Sequence, residues 1–451
     1  DVSLGVAKTG KLLAYRVNAI CDIGAYGRHP AGKYVDGPEN IYSLQGMDVK
    51  VTPVYTNTHS TGNMRAPVGV PSTFAIETAV DEAAYLLGLD PLQFRLNNLA
   101  KLSEGKLPFS SSGLSECIRR GADLFDWKGS FIPHTKNRRE FGRCRGVGIA
   151  LAAWHSEIET SSARIKLEKD GTVTVSAGIV DIGTGAKTAL ALTVARELGI
   201  NRSQINVDWG DTETCPPFVG ESGSKTTATI DRVVKQTALK FKDSIMEQAE
   251  SIMKVRKSLL LWDGGYVKSG EVTERISLKE LASLARRMPE AVETVATEIP
   301  VSVARSSFAA HFCEVLVDVD LGKISVERYV AVHDSGRIVN KLTAVSQVHG
   351  GVVMGIGLAL MEELEIDNET GTLLNPSLNS YHIPRNDDIP QIDVDFIETD
   401  DPYGPKSLGE VPVMPASPCI GNAVYNATGI RIREMPITPL RFQAAMQGQR
   451  Y

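Results

Sequence analysis

A single carboxylate, Glu410, stands in the segment KSLGEVPVMP, residues 406–415, directly after Gly409. The two prolines of this segment restrict the backbone and keep it from forming a regular strand. The apolar residues that follow would shield the acid from water, which suits a general base that accepts a proton. A surface glutamate ahead of a helix is the alternative, and the segment alone leaves both open.

Two stretches rich in glycine and hydroxyl groups precede predicted helices. In GIVDIGTGAKT, residues 178–188, the glycines would let backbone N–H groups converge on an anion. Ala186 precedes Lys187, so the pattern of an ATP-binding P-loop fails, and a plain strand-to-helix turn is the alternative. In GESGSKTTAT, residues 220–229, the hydroxyls could hold a phosphorylated ligand or only cap a helix. Two such stretches together favour a large anionic ligand.

Three further polar residues lie in apolar or proline-rich surroundings. Gln347 and His349 belong to AVSQVHGGVVMGIG, which is predicted to be a buried helix. An unpaired polar group costs about 1–3 kcal/mol in a core, so we interpret His349 as a hydrogen-bonded core histidine. The glycines after it would let another surface approach near Gln347. Arg65, in the loop TGNMRAPVGVP, could pair with an anionic substrate, or it is a solvated loop arginine.

The elements that position these residues are strands followed by helices. The stretch STFAIETAVDEAAYLLGLDPLQFRLNNL predicts two helices, the second beginning at Asp90 and Pro91. Hairpins are predicted to turn at 170–171 and 321–322, and Gly199 to end a helix. Residues 101–143 look polar and irregular. We therefore predict an α+β fold with domains at 1–143 and 144–451, the second divided into similar subdomains at about 144–305 and 306–451.

Composition narrows the class of protein. The 451 residues include 42% hydrophobic and 23% charged residues and carry a formal net charge of −6, which is typical of a globular chain and gives no basic surface for nucleic acid. No apolar run is long enough to span a membrane. The 6 cysteines form no C-x-x-C pair, so an iron–sulfur cluster in this chain is not expected. We expect a cytoplasmic protein whose partner is a small molecule or another protein.

Taken together, the segments resemble the molybdenum hydroxylases, the xanthine dehydrogenase and aldehyde oxidoreductase family. The resemblance rests on NMRAPVG with the two helices after it, and on GIVDIGTGAKT, SGSKTTAT, AVSQVHGGVVMGIGLALMEEL and SLGEVPVMPASPCIGNAVYNATGIRIREMPITP. These motifs occur in order from about residue 5 to 442. The chain is thus similar to the C-terminal part of a molybdopterin-binding catalytic subunit, whose fold has mixed sheets packed with helices.

The resemblance implies roles for the polar residues. Glu410 matches the active-site glutamate, which removes a proton so that an oxygen derived from water can attack an electron-poor carbon of a heterocycle or aldehyde. Gln347 matches a glutamine near the metal, and the metal is held by the pterin with no direct protein ligand. Thr184 stands where many members have glutamine, so that amide contact is lost. Cofactor contacts are implied for Met64, Arg65, Ala66, Gly183, Thr184, Gly185, Ser222, Gly223, Ser224, Lys225, Thr226, Thr227, Gln347 and Gly409.

Substrate contacts follow from the same resemblance. They are implied for Arg65, for Trp154 where the family has a substrate-facing aromatic residue, and for Lys33. An exposed loop tryptophan is the alternative for Trp154. Purines, pyridines such as nicotinate, aldehydes and aromatic thioesters all stay open as substrates. The loop GNMRAPVG stands where carbon monoxide dehydrogenases carry a cysteine-containing loop, which disfavours that branch of the family.

Cofactor and partners are implied as well. The cofactor is molybdopterin with molybdenum, in its cytosine dinucleotide form. The family's glycine-rich segment is not found in these residues, so we expect a second molybdopterin subunit to supply it, and an iron–sulfur subunit and an FAD subunit to carry electrons. Two alternatives stay open: a non-catalytic cofactor-binding or assembly subunit, and a glutamate-dependent hydrolase that needs no molybdenum.

Overall fold

The computed structural model of the protein describes residues 1–27, 38–103, 106–136, 139–270, 274–295 and 300–448. Within these ranges the strands form two four-stranded and two three-stranded sheets, and helices pack against them. The predicted α+β class is therefore confirmed.

The N-terminal region combines a three-stranded sheet with helices. Its central strand β2 pairs antiparallel with β1 and parallel with β3. Asp90 caps α3 as predicted, because its carboxylate accepts from the backbone N–H groups of Leu92 (2.7 Å) and Gln93 (3.4 Å). The elements are β1 Val2–Val6, β2 Leu12–Asp22, α1 Pro38–Ile41, β3 Gly46–Val54, α2 Gly69–Leu86, α3 Pro91–Asn97, α4 Leu114–Phe125, α5 Trp127–Ser130 and β4 Arg143–His155.

Helix α4 corrects the prediction of an irregular stretch over 101–143. Its buried residues Leu114, Cys117, Ile118 and Phe125 follow the helical period, and Gly121 lies on the same face. A Cβ at position 121 would lie 2.2 Å from the ring of Phe312, so glycine allows the helix to pack directly on the sheet. Charged residues on the outer face of α4 obscure the helical repeat of apolar residues in the sequence.

The first α+β unit comprises a sheet of order β11-β5-β6-β7 with its helices. The hairpin β5–β6 turns at Asp170 and Gly171, and Gly199 ends α6 with φ of 63°, both as predicted. The elements are β5 Ser161–Leu167, β6 Val173–Ala177, α6 Ala186–Leu198, β7 Ile205–Trp209, α7 Thr226–Met253, β8 Leu260–Asp263, β9 Tyr266–Ser269, β10 Arg275–Ser277, α8 Leu278–Leu284 and β11 Glu290–Val295.

The second α+β unit comprises a sheet of order β14-β13-β12-β4 with its helices. The hairpin β12–β13 turns at Leu321 and Gly322, as predicted. The elements that follow β4 here are β12 Ser306–Asp318, β13 Lys323–Asp334, α9 Lys341–Leu360, β14 Gln391–Phe396, α10 Ala416–Thr428 and α11 Pro439–Met446.

The two units share one pairing scheme. Each has an antiparallel hairpin whose second strand pairs in parallel with the strand after a crossover helix, α6 or α9. An outer strand, β11 or β4, pairs antiparallel with the first hairpin strand. The pairing of β4 with β12 along its whole length links the two predicted subdomains, because β4 begins the first one and β12 begins the second. Strand pairing over such a distance leaves no local mark in a sequence.

The second sheet is buried on both faces, which explains the nearly continuous burial along β4. Helices α2 and α4 cover one face, and α9 and α10 cover the other. By length and composition, α9 could cross a membrane, yet its apolar residues Val348, Val352 and Ile356 are fully buried in the core. It is a core helix of this unit.

Candidate active site

One cavity of about 1050 Å³ collects most of the predicted site residues. Loops of the N-terminal region and both α+β units line it, so residues far apart in the sequence meet there. Among the predicted residues its lining includes Met64, Arg65, Thr184, Ser222, Gly223, Ser224, Lys225, Thr226, Thr227, Gln347, Gly409 and Glu410.

Glu410 is half-buried at the wall of this cavity, and both of its oxygens are held. Oε1 accepts from the backbone N–H of Ala66 (3.3 Å), and Oε2 accepts from the hydroxyl of Ser224 (2.9 Å). The short 3-10 turn after it, Val411–Val413, is fully buried. The carboxylate therefore has one orientation, set by loops from two other parts of the chain.

Arg65 ties the loop of Glu410 to helix α9. Its Nε donates to the carbonyl of Gly409, and its Nη2 donates to the carbonyl of Gln347 (2.9 Å). Burial lowers the pKa of Arg65 to about 10, and the Glu410 carboxylate opposes part of that shift. The guanidinium stays charged at neutral pH and fixes the backbone beside the acid.

Three non-glycine residues around Glu410 adopt left-handed backbone conformations: Ala66, Val68 and Ser224 have φ of 55°, 60° and 59°. Such conformations cost on the order of 1–3 kcal/mol each, and for the β-branched Val68 the conformation is a genuine outlier. Strain of this kind concentrates at functional sites, where the surroundings enforce a geometry.

Helix α9 contributes Gln347 but not His349. The Gln347 side chain is half-buried, and its Nε2 donates to the carbonyl of Gly183 (3.4 Å). His349 is exposed, which corrects its interpretation as a core residue; two positions along a helix turn a side chain by about 200°. As expected, a neighbouring surface approaches at the glycines: a Cβ at Gly351 would lie 2.6 Å from Pro412.

The loop at 183–185 differs from its prediction. Its N–H groups converge on an anion, but that anion is the carboxylate of Asp181, which accepts from Gly183 (3.1 Å), Gly185 (2.9 Å) and Lys187 (3.4 Å). The side chain of Thr184 lines the cavity. Helix α6 thus begins beside the cavity with the loop before it and the N–H of Lys187 already bound to this carboxylate.

Helix α7 begins at the same cavity without a side-chain cap. The loop before it is clamped on both sides: Lys225 pairs with Glu159, and the Thr226 hydroxyl donates to Glu221. Burial raises the pKa of Glu221. A helix of this length with open first amides is favourable for a phosphate.

The cavity also fits a large polar cofactor because it contains buried hydroxyls that lack protein partners. Ser335 Oγ and Thr184 Oγ1 have none among the described residues. Together with the start of α7 they offer donors that a pterin with phosphate groups would use. In the part of the chain that the structure describes, no group of three His, Cys, Asp or Glu residues could hold a metal.

Two predicted substrate residues are placed differently from the rest. Trp154 lies within β4 with only 2% of its surface exposed, and it packs against Met414 and Ala66 rather than lining the cavity. His155, whose ring lies 4.5 Å from that of Trp154, lines the cavity instead. Lys33 lies outside the described residues.

The sequence analysis missed the segment HDSGRIVN, residues 333–340. Ser335, Arg337 and Asn340 of this segment line the cavity, and Asn340 caps α9 by accepting from Leu342 (3.1 Å). Lys406 lines it as well and pairs with Asp334. The signal was present: small and polar residues precede a helix here, as they do at 220–229.

Comparison with known proteins identifies the family. Two models of the molybdopterin cofactor-binding domain match residues 1–99 and 120–390. The chain is 34% identical over 462 residues to the putative xanthine dehydrogenase molybdenum-binding subunit of Escherichia coli K12, covering 98% of this chain and 61% of that protein. It is 36% identical over 387 residues to the aldehyde oxidoreductase molybdenum-binding subunit of the same organism, covering 83% and 51%.

Solved structures agree with this. The reconstituted CO dehydrogenase from Oligotropha carboxidovorans superposes with a TM-score of 0.87 at 25% identity, covering 99% of this chain and 61% of that one. Quinoline 2-oxidoreductase from Pseudomonas putida 86 has a TM-score of 0.87 at 22% identity and shows the shared fold, covering 99% and 62%. The chain spans 51% to 62% of the length of these four proteins. Both domain models match, and the chain therefore belongs to the molybdopterin-binding large subunits of the molybdenum hydroxylase family.

Proposed function

We propose that this chain is part of the catalytic subunit of a molybdenum hydroxylase that hydroxylates an electron-poor carbon of an N-heterocycle or an aldehyde. The observation that carries the proposal is Glu410: a carboxylate held by Ala66 and Ser224 at the wall of a cavity suited to the cofactor. When bound, the molybdenum cofactor supplies a Lewis acid and a two-electron acceptor, which no side chain provides.

The chain's own residues then accept a proton and hold the accepting group in place. Glu410 accepts the proton of the attacking oxygen at the cavity wall. Arg65 holds the carbonyl of Gly409 and so keeps the acid in place, while Gln347 presents its amide from α9. The buried turn after Glu410 excludes water from one side of the carboxylate.

The dinucleotide form of the cofactor, the partners and the location are part of the same proposal. The open start of α7 and the hydroxyls of Thr227 and Ser335 would suit more than one phosphate, which supports the cytosine dinucleotide form. Electrons would leave through an iron–sulfur subunit and an FAD subunit, and a second molybdopterin polypeptide would supply the glycine-rich segment. We place the complex in the cytoplasm.

The test starts from the complex purified with its co-purifying chains, which mass spectrometry identifies. Elemental analysis should find molybdenum bound to it. A panel of hypoxanthine, nicotinate, quinoline and benzaldehyde with ferricyanide as acceptor then measures turnover. Glu410→Gln should lower kcat about 10²- to 10⁴-fold, because the general base is lost, with molybdenum content unchanged.

The other outcomes separate the alternatives. Molybdenum without turnover, or turnover that Glu410→Gln leaves unchanged, would favour a non-catalytic cofactor-binding or assembly subunit. Hydrolytic activity in a complex free of molybdenum would favour a glutamate-dependent hydrolase. The absence of both molybdenum and turnover from the intact complex would refute the proposed function.

A further inference from the structure

Ser224 contacts the carboxylate rather than only facing the cofactor. Its hydroxyl donates to Glu410 Oε2 (2.9 Å), while the other oxygen is held by a backbone N–H of the opposite loop. The backbone hydrogen bond would form with any residue at position 66. The hydroxyl therefore provides the one side-chain contact in this pair that a substitution can remove.

The loop is built to present this hydroxyl. Gly223 and Ser224 both adopt left-handed conformations, with φ of 62° and 59°. Serine is disfavoured there relative to glycine, so the side chain is kept at a backbone cost. The pair Lys225–Glu159 and the hydrogen bond from Thr226 to Glu221 fix the following residues and so hold the loop against the cavity wall.

Gly409 completes the arrangement. A Cβ at this position would lie 3.0 Å from Ser224 Oγ and 3.6 Å from Ser224 Cβ. The first distance is too short for comfortable contact, whereas the second is an ordinary one. Any side chain at 409 would press on the hydroxyl and not on the rest of Ser224.

We infer that Ser224 is the positioning residue that orients the Glu410 carboxylate, and that residue 409 is glycine so that this hydroxyl can reach the acid. The inference rests on the proposed function and deepens it. It assigns to Ser224 a contact with the base in place of the cofactor contact that the family resemblance implies.

The test uses Ser224→Ala in the purified complex. Because a hydrogen bond to a charged group is lost, kcat should fall about 10- to 100-fold with little change in KM. Ser224→Gly, which relieves the backbone, should lose as much activity. Ser283→Ala, at an exposed position of α8, serves as the control with unchanged turnover.

A readout independent of turnover is the infrared carboxylate stretch of Glu410, assigned by its loss in Glu410→Gln. Ser224→Ala should shift this band. Gly409→Ala should lower kcat in the wild-type background but have little further effect in Ser224→Ala, because the added methyl group acts on the hydroxyl.

The inference is overturned if Ser224→Ala keeps kcat and the infrared band unchanged while Glu410→Gln is inactive and retains molybdenum. Additive effects of the 409 and 224 substitutions would overturn the role assigned to Gly409. If the wild-type complex has no molybdenum or Glu410→Gln stays active, it is the proposed function that fails.

Discussion

The two α+β units use the same strand pairing but bury different kinds of residues. The core of the first unit is formed by aliphatic and aromatic side chains between its sheet and helices α6 and α7. The second unit buries two ion pairs, Lys406–Asp334 and Arg305–Asp401, and the histidines His311 and His333. One architecture thus supports an apolar core in both units, and the second unit adds buried charges to it.

The charged core lies where the chain is irregular. Residues 401–410 lead to Glu410 without forming a strand, and side chains satisfy their backbone instead. Arg305 donates to the carbonyls of Gly404 (3.0 Å) and Pro405, and the Ser407 N–H donates to the hydroxyl of Ser156 (2.9 Å). In the second unit these buried hydrogen bonds hold the loop 401–410, which carries Glu410, in place.

The largest effect is expected from breaking the buried ion pair Lys406–Asp334 of the second unit. Lys406→Met leaves Asp334 charged and buried, so the free energy of unfolding should fall by about 3–5 kcal/mol. Urea denaturation followed by circular dichroism measures it. The exposed pair Lys268–Asp263 of the first unit is the control, and Lys268→Met should cost below about 1 kcal/mol. If Lys406→Met and Lys268→Met lowered the free energy of unfolding equally, the buried ion pair would add no more stability than the exposed one.

Acid should destabilise the second unit first. Burial, and to a lesser degree Arg65, lowers the pKa of His333 to about 3, and burial also lowers that of His311. The unfolded chain takes up these protons below about pH 6.5 and the folded chain does not, so stability falls as pH drops from 6.5 towards 3. For His333 alone the loss at pH 4 should be on the order of 3 kcal/mol.

Hydrogen exchange at pH 7 and pH 4 would locate the opening. We expect β12 and β13 to lose protection before β5 and β6. His333→Gln should weaken the pH dependence of the unfolding free energy, whereas His382→Gln, at an exposed position, should leave it unchanged. Earlier opening of the first unit would contradict the comparison.

A smaller effect is expected at Arg65, which joins the N-terminal region to the second unit. Arg65→Lys keeps the charge but cannot donate to both Gly409 and Gln347 in the same fork geometry. Losing one charged hydrogen bond should lower kcat/KM about 10- to 100-fold. Turnover of the substrate panel measures this, with the exposed Arg16→Lys as control. Full activity would show that the loop of Glu410 holds its shape without this arginine.

The smallest effect is expected from a substitution in the first unit, at Asp181. Asp181→Ala frees three N–H groups at the start of α6 and should lower the free energy of unfolding by about 1 kcal/mol. Thermal unfolding measures it. Asp170→Ala, at the exposed turn of β5 and β6, removes a single backbone acceptor interaction and should cost less. A loss of molybdenum from Asp181→Ala without a loss of stability would show that this loop serves the cofactor and not the helix.

The sequence predicted the ends of helices and the turns of hairpins well, because a few neighbouring residues determine them. Asp90 with Pro91, and Gly199 with its left-handed conformation, mark helix ends in a few residues. The position of Glu410 beside Arg65 and Gln347 came instead from the family resemblance. Local pattern could not show that Asp181 occupies the amides of its own loop, because the same glycines suit either anion. Nor could local pattern predict the burial of Trp154, since this depends on Ala66 and Met414, which are distant in the sequence.

The pairing of β4 with β12 has a consequence for biosynthesis. The whole first unit is translated between them, about 150 residues, which takes a ribosome roughly 8–30 s at its usual rate. Throughout that interval β4, apolar on both sides, has no partner strand, and such an edge invites association with other nascent chains. A chaperone that shields this strand during translation would therefore raise the yield of the complex, and co-expression is the direct way to see it.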